Sequence, residues 1–262
     1  MQAPLQRLEG LLRKAMQMYT LIEPGDVVCV GVSGGKDSIA LAVALANLSK
    51  YYEIPYTVKA VTLDPGFFGI ETDYSEITTL LQAKGVPHIV QRTNIGQVVF
   101  DIRKEPNPCA LCANLRRGAL HTQAKLLGCN KVALGHHLDD VVETFYMNLF
   151  GEGRIGCFSP KTWLSRSELT LIRPLVLATE QEVIRAVRSQ NLPVIKNPCP
   201  ADGATERATT KEFVAQRSKA DPAFRQKTLG AMQKAGIDGW APQENGVHRK
   251  NNNKKLPTDT VL

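Results

Sequence analysis

The sequence contains no apolar segment long enough to cross a membrane. Its longest mainly apolar run covers residues 39–48, whereas a bilayer-spanning helix needs about 20 such residues. The N-terminus also lacks the apolar core of a signal peptide, because Arg7, Glu9 and Arg13 come early. We therefore expect no membrane association and no secretion, and we predict a cytoplasmic protein.

Cysteine is too sparse to form a disulfide framework, with six residues in a chain of 262. Cys29 and Cys129 lie in or beside apolar segments and are predicted to be plain buried or near-surface thiols. Cys157 lies in a predicted loop and is given no role. The three thiols that remain are candidates for chemistry: Cys109, Cys112 and Cys199.

A strong charge imbalance is also missing. Hydrophobic residues make up 43% of the chain and charged residues 22%, which is ordinary for a globular protein. The net charge of +7 fits a polyanionic partner without requiring one. Residues 246–262 contain four basic residues, a single acidic residue, Asp259, and no aromatic residue. This composition predicts a disordered basic tail over residues 241–262.

Predicted strands and helices alternate along the chain. The valine-rich run at 27–32 is typical of a buried strand, and further strands are predicted at 56–64, 87–92, 131–136 and 169–175. Predicted helices follow these strands at 38–48, 72–84, 111–127, 138–150 and 180–190. The alternation predicts an α/β fold that is doubly wound around a mainly parallel sheet.

Helical segments flank this α/β domain. Leucines at helical spacing predict an amphipathic helix over residues 4–20, and residues 200–240 are predicted to be helical and to pack beside the domain. The predicted division is an N-terminal helix (1–24), the α/β domain (25–200), a C-terminal helical segment (201–240) and the tail (241–262).

A glycine-rich turn joins the first strand to the first helix of the α/β domain. Such a turn exposes backbone N–H groups at a helix N-terminus and therefore predicts a phosphate site. The turn sequence "SGGKDS" matches neither the common phosphate loop, G-x-x-x-x-G-K-[ST], nor the dinucleotide-binding pattern, G-x-G-x-x-G. Its candidate residues are Ser33, Gly34, Gly35, Lys36, Asp37 and Ser38.

Two further motifs follow strands of the same predicted sheet. "LDPG" (63–66) follows the second strand, and "GHHLDD" (135–140) follows the fourth. Because ligands of parallel sheets lie beyond the carboxyl ends of the strands, we expect one composite site. Asp139 and Asp140 could simply stabilise the N-terminus of a helix. The functional interpretation is that His136 or His137 and one aspartate face the nucleotide, with Asp140 preferred for catalysis or metal contact.

The "CALC" pair, Cys109 and Cys112, has three interpretations from spacing alone. It could be a redox pair, half of a zinc site or half of an iron–sulfur site. Cys199 lies between Pro198 and Pro200, which hold its backbone extended. Three thiolates can hold three irons of a [4Fe–4S] cluster and leave the fourth iron open. The residues alone leave these alternatives open.

"SGGKDS" resembles the loop of the N-type ATP pyrophosphatases, the PP-loop proteins with an adenine nucleotide alpha hydrolase-like fold. With "CALCANLRRGAL", "LGHHLDDVVETFYMNLF", "LIRPL" and "PC" in this order, residues 5–235 resemble the tRNA 2-thiocytidine synthetases. The resemblance implies an ATP-dependent enzyme that uses Mg²⁺ and a [4Fe–4S] cluster. It would adenylate an anticodon-loop cytidine of tRNA and replace the carbonyl oxygen with sulfur, giving 2-thiocytidine. It also implies sulfide or a cysteine desulfurase as sulfur donor, and a homodimer.

The same resemblance implies roles for particular residues. Cys109, Cys112 and Cys199 would be the cluster ligands. Lys36, Asp37 and Asp140 would be catalytic. The backbone of Val61 and Leu63, with Asp64, would border adenine, and Gly135 and His136 would contact the nucleotide. Apart from the resemblance, Arg116 and Arg117 follow the cysteine pair by one helical turn, where they would grip ATP phosphate or RNA backbone, or would form a solvated helix face.

The chain departs from the family at some positions, such as Leu138 where arginine is common. Two other functions therefore stay open. One is the same chemistry on an acceptor other than tRNA. The other is a metal-bearing RNA-binding or redox module without catalysis.

Overall fold

A sheet of six strands forms the centre of the protein in a computed structural model that describes residues 3–104, 107–195, 199 and 206–243. The spatial order is β3-β2-β1-β4-β6-β5. All neighbouring pairs are parallel except β5 and β6. The strands are β1 (Asp26–Gly31), β2 (Tyr56–Asp64), β3 (His88–Arg92), β4 (Lys131–Ala133), β5 (Lys161–Leu164) and β6 (Leu169–Ile172).

Helices connect the strands and follow the sheet. In the described part of the chain they are α1 (Pro4–Met18), α2 (Lys36–Leu48), α3 (Ser75–Ala83), α4 (Ile95–Gln97, a single turn), α5 (Pro108–Leu126), α6 (Leu138–Gly151), α7 (Glu180–Ser189), α8 (Glu206–Ala220) and α9 (Phe224–Ala235). A π-helical segment, Val98–Arg103, follows α4. In this described part, no helix has the length and apolar character needed to span a bilayer.

The predicted fold class is confirmed, and the differences lie at element ends and at one strand. The fourth strand ends at Ala133 rather than at residue 136, and the strand predicted over 169–175 ends at Ile172. The sequence prediction missed β5, a short antiparallel strand that buries none of its residues fully. Such a strand carries neither the apolar run nor the clean alternation by which strands are predicted.

The helix that carries the cysteine pair begins earlier than predicted. It starts at Pro108, a residue type favoured in the first turn of a helix. The Asn107 side chain accepts a hydrogen bond from the backbone N–H of Ala110 (3.1 Å) and caps the helix. Cys109 and Cys112 therefore lie on consecutive turns of one helix, at its N-terminal end.

The two faces of the sheet are covered by different helices. Val28 and Val30 of β1 face the large core cluster that contains apolar side chains of α1, α2, α6 and α7. Cys29, between them, faces a second cluster with Leu120 and Ala124 of α5. This alternation places the parallel strands between helices on both sides, as a doubly wound sheet requires.

The chain reverses direction across the sheet between β1 and β4. From β1 it proceeds outward to β2 and β3, and α5 then carries it back to β4 on the other side of β1. The loops that leave adjacent strands on either side of such a reversal separate and open a crevice at the carboxyl ends. The "SGGKDS" and "GHHLDD" motifs leave these two strands.

The C-terminal helices are joined to the rest of the molecule through a buried tryptophan. Trp240 is fully buried and contacts the Tyr19 ring edge to face at 5.7 Å. Its indole N–H donates to the carbonyl oxygen of Phe158 (3.0 Å). Residues of α1, α9 and the α/β domain thus share one core cluster, although the division at residues 24, 200 and 240 stays a prediction. The predicted disordered tail lies almost wholly outside the described residues.

Candidate active site

A cavity of about 830 Å³ opens at the carboxyl ends of β1, β2, β4 and β6. It has the size of a cofactor or nucleotide site. Arginines of α5 form part of its wall. Nine of the residues predicted for the phosphate loop, the adenine border and the "GHHLDD" motif line it: Ser33, Gly35, Asp37, Ser38, Val61, Leu63, Gly135, His136 and Asp140.

The loop between β1 and α2 is held open by its own side chains. Gly34 has φ +87°, a conformation that side-chain-bearing residues rarely adopt. The Ser38 hydroxyl accepts from the backbone N–H of Ser33 (3.1 Å) and donates to the carbonyl of Gly35 (2.9 Å). No side chain caps α2, whose N-cap residue is Gly35. The first N–H groups of this helix therefore face the cavity as an anion site.

Gly34 and Lys36 do not line the cavity, unlike their neighbours in the motif. The Lys36 ammonium lies 3.0 Å from a carboxylate oxygen of Asp37 and 3.0 Å from one of Glu180. Burial on its own would lower the pKa of Lys36, but the hydrogen bonds and charges of Glu180 and Asp37 outweigh burial and raise it. Lys36 is therefore a charged link between the loop and α7.

Gly135 packs directly on the loop from the side of β4. A Cβ atom there would lie 3.0 Å from the carbonyl carbon of Asp37 and 3.1 Å from the backbone nitrogen of Ser38. Since both contacts are to backbone, neither can rotate away. The absence of a side chain at 135 thus allows the "GHHLDD" motif to approach the N-terminus of α2.

The two aspartates of this motif do different work. Asp140 accepts from the backbone N–H of His137 (2.9 Å), while His137 Nδ1 accepts from the backbone N–H of Asp140 (3.3 Å). This reciprocal pair caps α6 and leaves Asp140 at the cavity wall. Asp139 is buried, accepts from the backbone N–H of Glu180 (2.8 Å) and pairs with Arg225 Nε (2.6 Å). Asp139 therefore ties α6 to α7 and α9.

His137 is placed between the motif and the loop. Because its Nδ1 accepts a hydrogen bond, the proton of a neutral ring lies on Nε2, which is 3.7 Å from Asp37 Oδ1. That oxygen is buried and has no hydrogen-bond partner among the described residues. An unpartnered carboxylate oxygen at the edge of a phosphate site suits a divalent cation.

The cavity wall also contains guanidinium groups. Arg116 and Arg117 line it from α5, as one of the two interpretations of these residues requires. Arg173, which directly follows β6, lines it as well. The sequence analysis gave Arg173 no role, although it is the arginine of "LIRPL". Only its position at a strand end, where site residues gather, could have singled it out.

An aromatic ring supports two of these polar side chains. The rings of His136 and Phe158 lie 4.9 Å apart between centroids, and the Arg173 guanidinium lies 4.8 Å from the centre of the same Phe158 ring. Phe158 itself lines the cavity. It therefore orients both His136 and Arg173.

The three candidate cysteines share one patch near the start of α5. Cys112 and Cys199 both pack in the apolar cluster around Phe67, Ile95 and Val99, and Cys109 is exposed one turn before Cys112. Burial raises the pKa of Cys112, negative charge on Cys199 and Cys109 raises it further, and Arg116 opposes them. In the part of the chain that the structure describes, no three His, Cys, Asp or Glu side chains form a closed metal-ligand set.

The remaining thiols and Asp64 have structural contacts. Cys29 and Cys129 are buried, as predicted, and Cys157 is buried with its thiol on the carbonyl of Val141 (3.4 Å). Asp64 is not among the residues that line the cavity. Its carboxylate accepts from the backbone N–H groups of Gly66 (3.1 Å) and Thr72 (2.9 Å) and pairs with Arg92. It shapes the loop that follows β2 instead.

Comparisons with known proteins agree with this geometry. The PP-loop domain family matches residues 7–218. The chain is 36% identical over 229 residues to the tRNA-cytidine(32) 2-sulfurtransferase of Geobacter sulfurreducens, covering 86% of this chain and 88% of that protein. It is 38% identical over 229 residues to the protein of that name from Syntrophotalea carbinolica, with the same coverage.

A solved structure shares the fold. The U34-tRNA thiolase of Methanococcus maripaludis, a structure containing a [4Fe–4S] cluster, superposes with a TM-score of 0.72 at 23% identity. The match covers 88% of this chain and 78% of the thiolase. Together with the strand order and the glycine-rich loop, the sequence matches establish that the chain belongs to the PP-loop domain family and, within it, to the tRNA-cytidine(32) 2-sulfurtransferases.

Proposed function

We propose that the protein is an ATP-dependent tRNA sulfurtransferase that converts an anticodon-loop cytidine to 2-thiocytidine. The proposal is carried by a phosphate loop and an aspartate that line one cavity, together with a cysteine pair on α5, the helix that also supplies arginines to the cavity wall. An enzyme that only adenylates would not need the cysteines, and a redox or metal module would not need the phosphate loop. The curated relatives bear the name of this reaction.

The cavity supports binding of ATP with its phosphates at the start of α2. The N–H groups there and the Ser33 and Ser38 hydroxyls would contact phosphate oxygens. Val61 and Leu63 would border the adenine, and Gly135 and His136 would contact the nucleotide. Asp37, with its unpartnered Oδ1, and Asp140 would hold Mg²⁺ on the phosphates. Lys36 would reach a phosphate if it left Glu180.

Adenylation solves the problem of a poor leaving group. The cytidine carbonyl oxygen attacks the α-phosphorus, an O–P bond forms, and the bond to pyrophosphate breaks. The loop neutralises the charge that accumulates on pyrophosphate. A sulfur nucleophile then attacks the carbon that bears this oxygen, and a C–S bond forms. The C–O bond breaks as AMP leaves with the oxygen. Asp140 would orient the reacting groups.

The thiol patch fits a [4Fe–4S] cluster held by Cys109, Cys112 and Cys199. All ligands would be thiolates, as such clusters prefer, and cationic iron would offset the burial, and the smaller effect of the neighbouring thiols, that raise the pKa of Cys112. When bound, the cluster would supply an open iron for the incoming sulfide. The sulfur donor, sulfide or a cysteine desulfurase, the homodimer and the cytoplasmic location stay predictions.

The test is anaerobic purification followed by metal analysis and turnover with ATP, sulfide and an unmodified tRNA transcript. We expect roughly four irons per chain, AMP formation that depends on tRNA, and 2-thiocytidine in the digested RNA. Cys199→Ala should lose iron and thiolation. Cys157→Ala, a buried thiol outside the patch, should keep both.

Two results would contradict the proposal in different ways. Stoichiometric zinc in place of iron would overturn the cluster. AMP formation without any thiolated cytidine would move the chemistry to another acceptor.

A further inference from the structure

A buried guanidinium stands at the far end of the cavity without an acidic partner. Arg173 is only 8% exposed, yet none of the carboxylates among the described residues pairs with it. One of its terminal nitrogens donates to the carbonyl of Ser159, and Nε is buried with no hydrogen-bond partner in the described part of the chain. Buried cations are normally paired, so the Arg173 guanidinium is suited to bind an anion.

A second guanidinium lines the same cavity. Arg117 lines it from α5, and one of its terminal nitrogens donates to the side-chain oxygen of Asn114 (3.4 Å). Burial lowers the pKa of Arg173 to about 10, the nearby Cys157 opposes the shift, and the positive charge of Arg117 adds to it. Two like charges are thus held within electrostatic range across a water-accessible space, an arrangement that an anion between them would stabilise.

The position of this pair distinguishes it from the ATP phosphate loop. In the sheet, β4 lies between β1, which leads into the loop, and β6, which leads into Arg173. With adjacent strands about 4.8 Å apart, the two strand ends are separated by about 10 Å. The triphosphate and a group held by Arg173 would therefore occupy different ends of the cavity.

We propose that Arg117 and Arg173 form a clamp for one phosphate group of the RNA acceptor. This inference rests on the proposed function and adds to it the group by which the acceptor strand would be held. Guanidinium groups bind phosphate through paired N–H donors with fixed geometry. Phe158, which stacks on Arg173 and contacts His136, would keep the clamp rigid and keep the backbone phosphate beside the adenylation site.

Binding experiments without turnover test the clamp. We would measure the dissociation constant of a tRNA transcript across a range of salt concentrations, and that of a non-hydrolysable ATP analogue, for Arg117→Met, Arg173→Met and Arg173→Lys. Arg166→Met is the matched control, since Arg166 is exposed in the turn between β5 and β6 and does not line the cavity.

The clamp predicts a particular pattern. Each methionine variant should weaken tRNA binding about 10-fold and lower the salt slope by about 1, as expected for one lost phosphate contact. The double variant should lose less than the sum, because both residues hold the same group. Arg173→Lys should recover only part of the loss, and affinity for the ATP analogue should change less than about twofold in every variant.

Other results would overturn it. Unchanged tRNA affinity and salt slope in Arg117→Met, which removes an exposed side chain and keeps the fold, would exclude the clamp. A 10-fold loss of ATP-analogue affinity with normal tRNA binding would assign the phosphate to the nucleotide. If wild type binds tRNA with the predicted variant pattern but forms no thiolated base, the clamp stands and the proposed function fails. If the wild type thiolates tRNA normally and no variant changes tRNA binding, the proposed function stands and the clamp fails.

Discussion

Two adjacent aspartates have different roles, since one lines the cavity and the other holds helices together. Asp140 caps α6 and lines the cavity, whereas Asp139 is buried between α7 and Arg225. We predict that Asp140→Asn, which keeps an acceptor oxygen, changes stability by less than about 1 kcal/mol and slows AMP formation by about 100-fold or more.

Asp139→Ala should show the reverse. It leaves Arg225 and the N–H of Glu180 unpaired and should cost about 2–4 kcal/mol of stability, with AMP formation per folded molecule within about threefold of wild type. Urea unfolding and an AMP assay separate the two effects. Equal loss of activity in both variants would place Asp139 in the chemistry as well.

The Lys36–Glu180 ion pair makes the stability of the fold depend on pH in acidic solution. Burial alone would raise the pKa of Glu180, but Lys36, with help from Lys211 and His137, lowers it. A carboxyl whose folded pKa is lowered stabilises the fold above its unfolded pKa, near 4.3, and that contribution is lost as pH falls through the folded value. The raised pKa of Lys36 has the opposite sign, and its share is lost only in strong base.

Glu180→Gln should therefore be less stable than wild type by about 1 kcal/mol at pH 7, with a difference that shrinks as pH drops below about 4.3. Urea midpoints at several pH values measure this. Glu168→Gln is the control, because Glu168 and its partner Lys125 are both exposed. A difference that grows toward low pH would contradict the sign.

At the scale of elements, the approach of the β4 loop to α2 depends on a missing side chain. Gly135→Ala would place a Cβ 3.0 Å from the backbone of Asp37, which forces the loop and the helix N-terminus apart. We predict at least about 10-fold weaker binding of an ATP analogue, corresponding to about 1.4 kcal/mol.

The control for Gly135 is Gly118→Ala in α5. A Cβ there meets nothing within 4 Å, so the substitution should leave nucleotide binding unchanged and stabilise the helix by up to about 1 kcal/mol. Calorimetric titration of both variants gives the comparison. Normal affinity in Gly135→Ala would mean that this close approach is not needed for binding.

Some elements of the fold can be predicted from the sequence and others cannot. The run "VVCVGVSGGKDS" predicts strand, loop and helix because burial on both faces demands apolar residues and the turn demands glycine. β5 has no such demand, since it lies at an edge and is held by pairing with β6. The contacts of Asp139 and Arg173 could not be predicted either, because the residues that they contact come from distant parts of the chain.

At the scale of the whole molecule, Trp240 joins the C-terminal segment to α1 and to the cavity wall at Phe158. Trp240→Ala removes a fully buried side chain and should cost about 3–5 kcal/mol, or roughly 10 °C in melting temperature. Trp163→Ala is the matched control, because Trp163 is 61% exposed and should change stability by less than about 0.5 kcal/mol. Thermal unfolding of both proteins decides whether the C-terminal segment is part of the cooperative unit.

One backbone hydrogen bond sets a length scale for the whole site. The N–H of Ile195 donates to the carbonyl of Gly34 (2.9 Å), and Ile195 precedes Cys199 by four residues. Four residues span at most about 14 Å. A metal centre held by Cys199, as proposed, would therefore stay within that distance of the glycine-rich loop. The covalent chain itself would limit how far the sulfur can lie from the nucleotide.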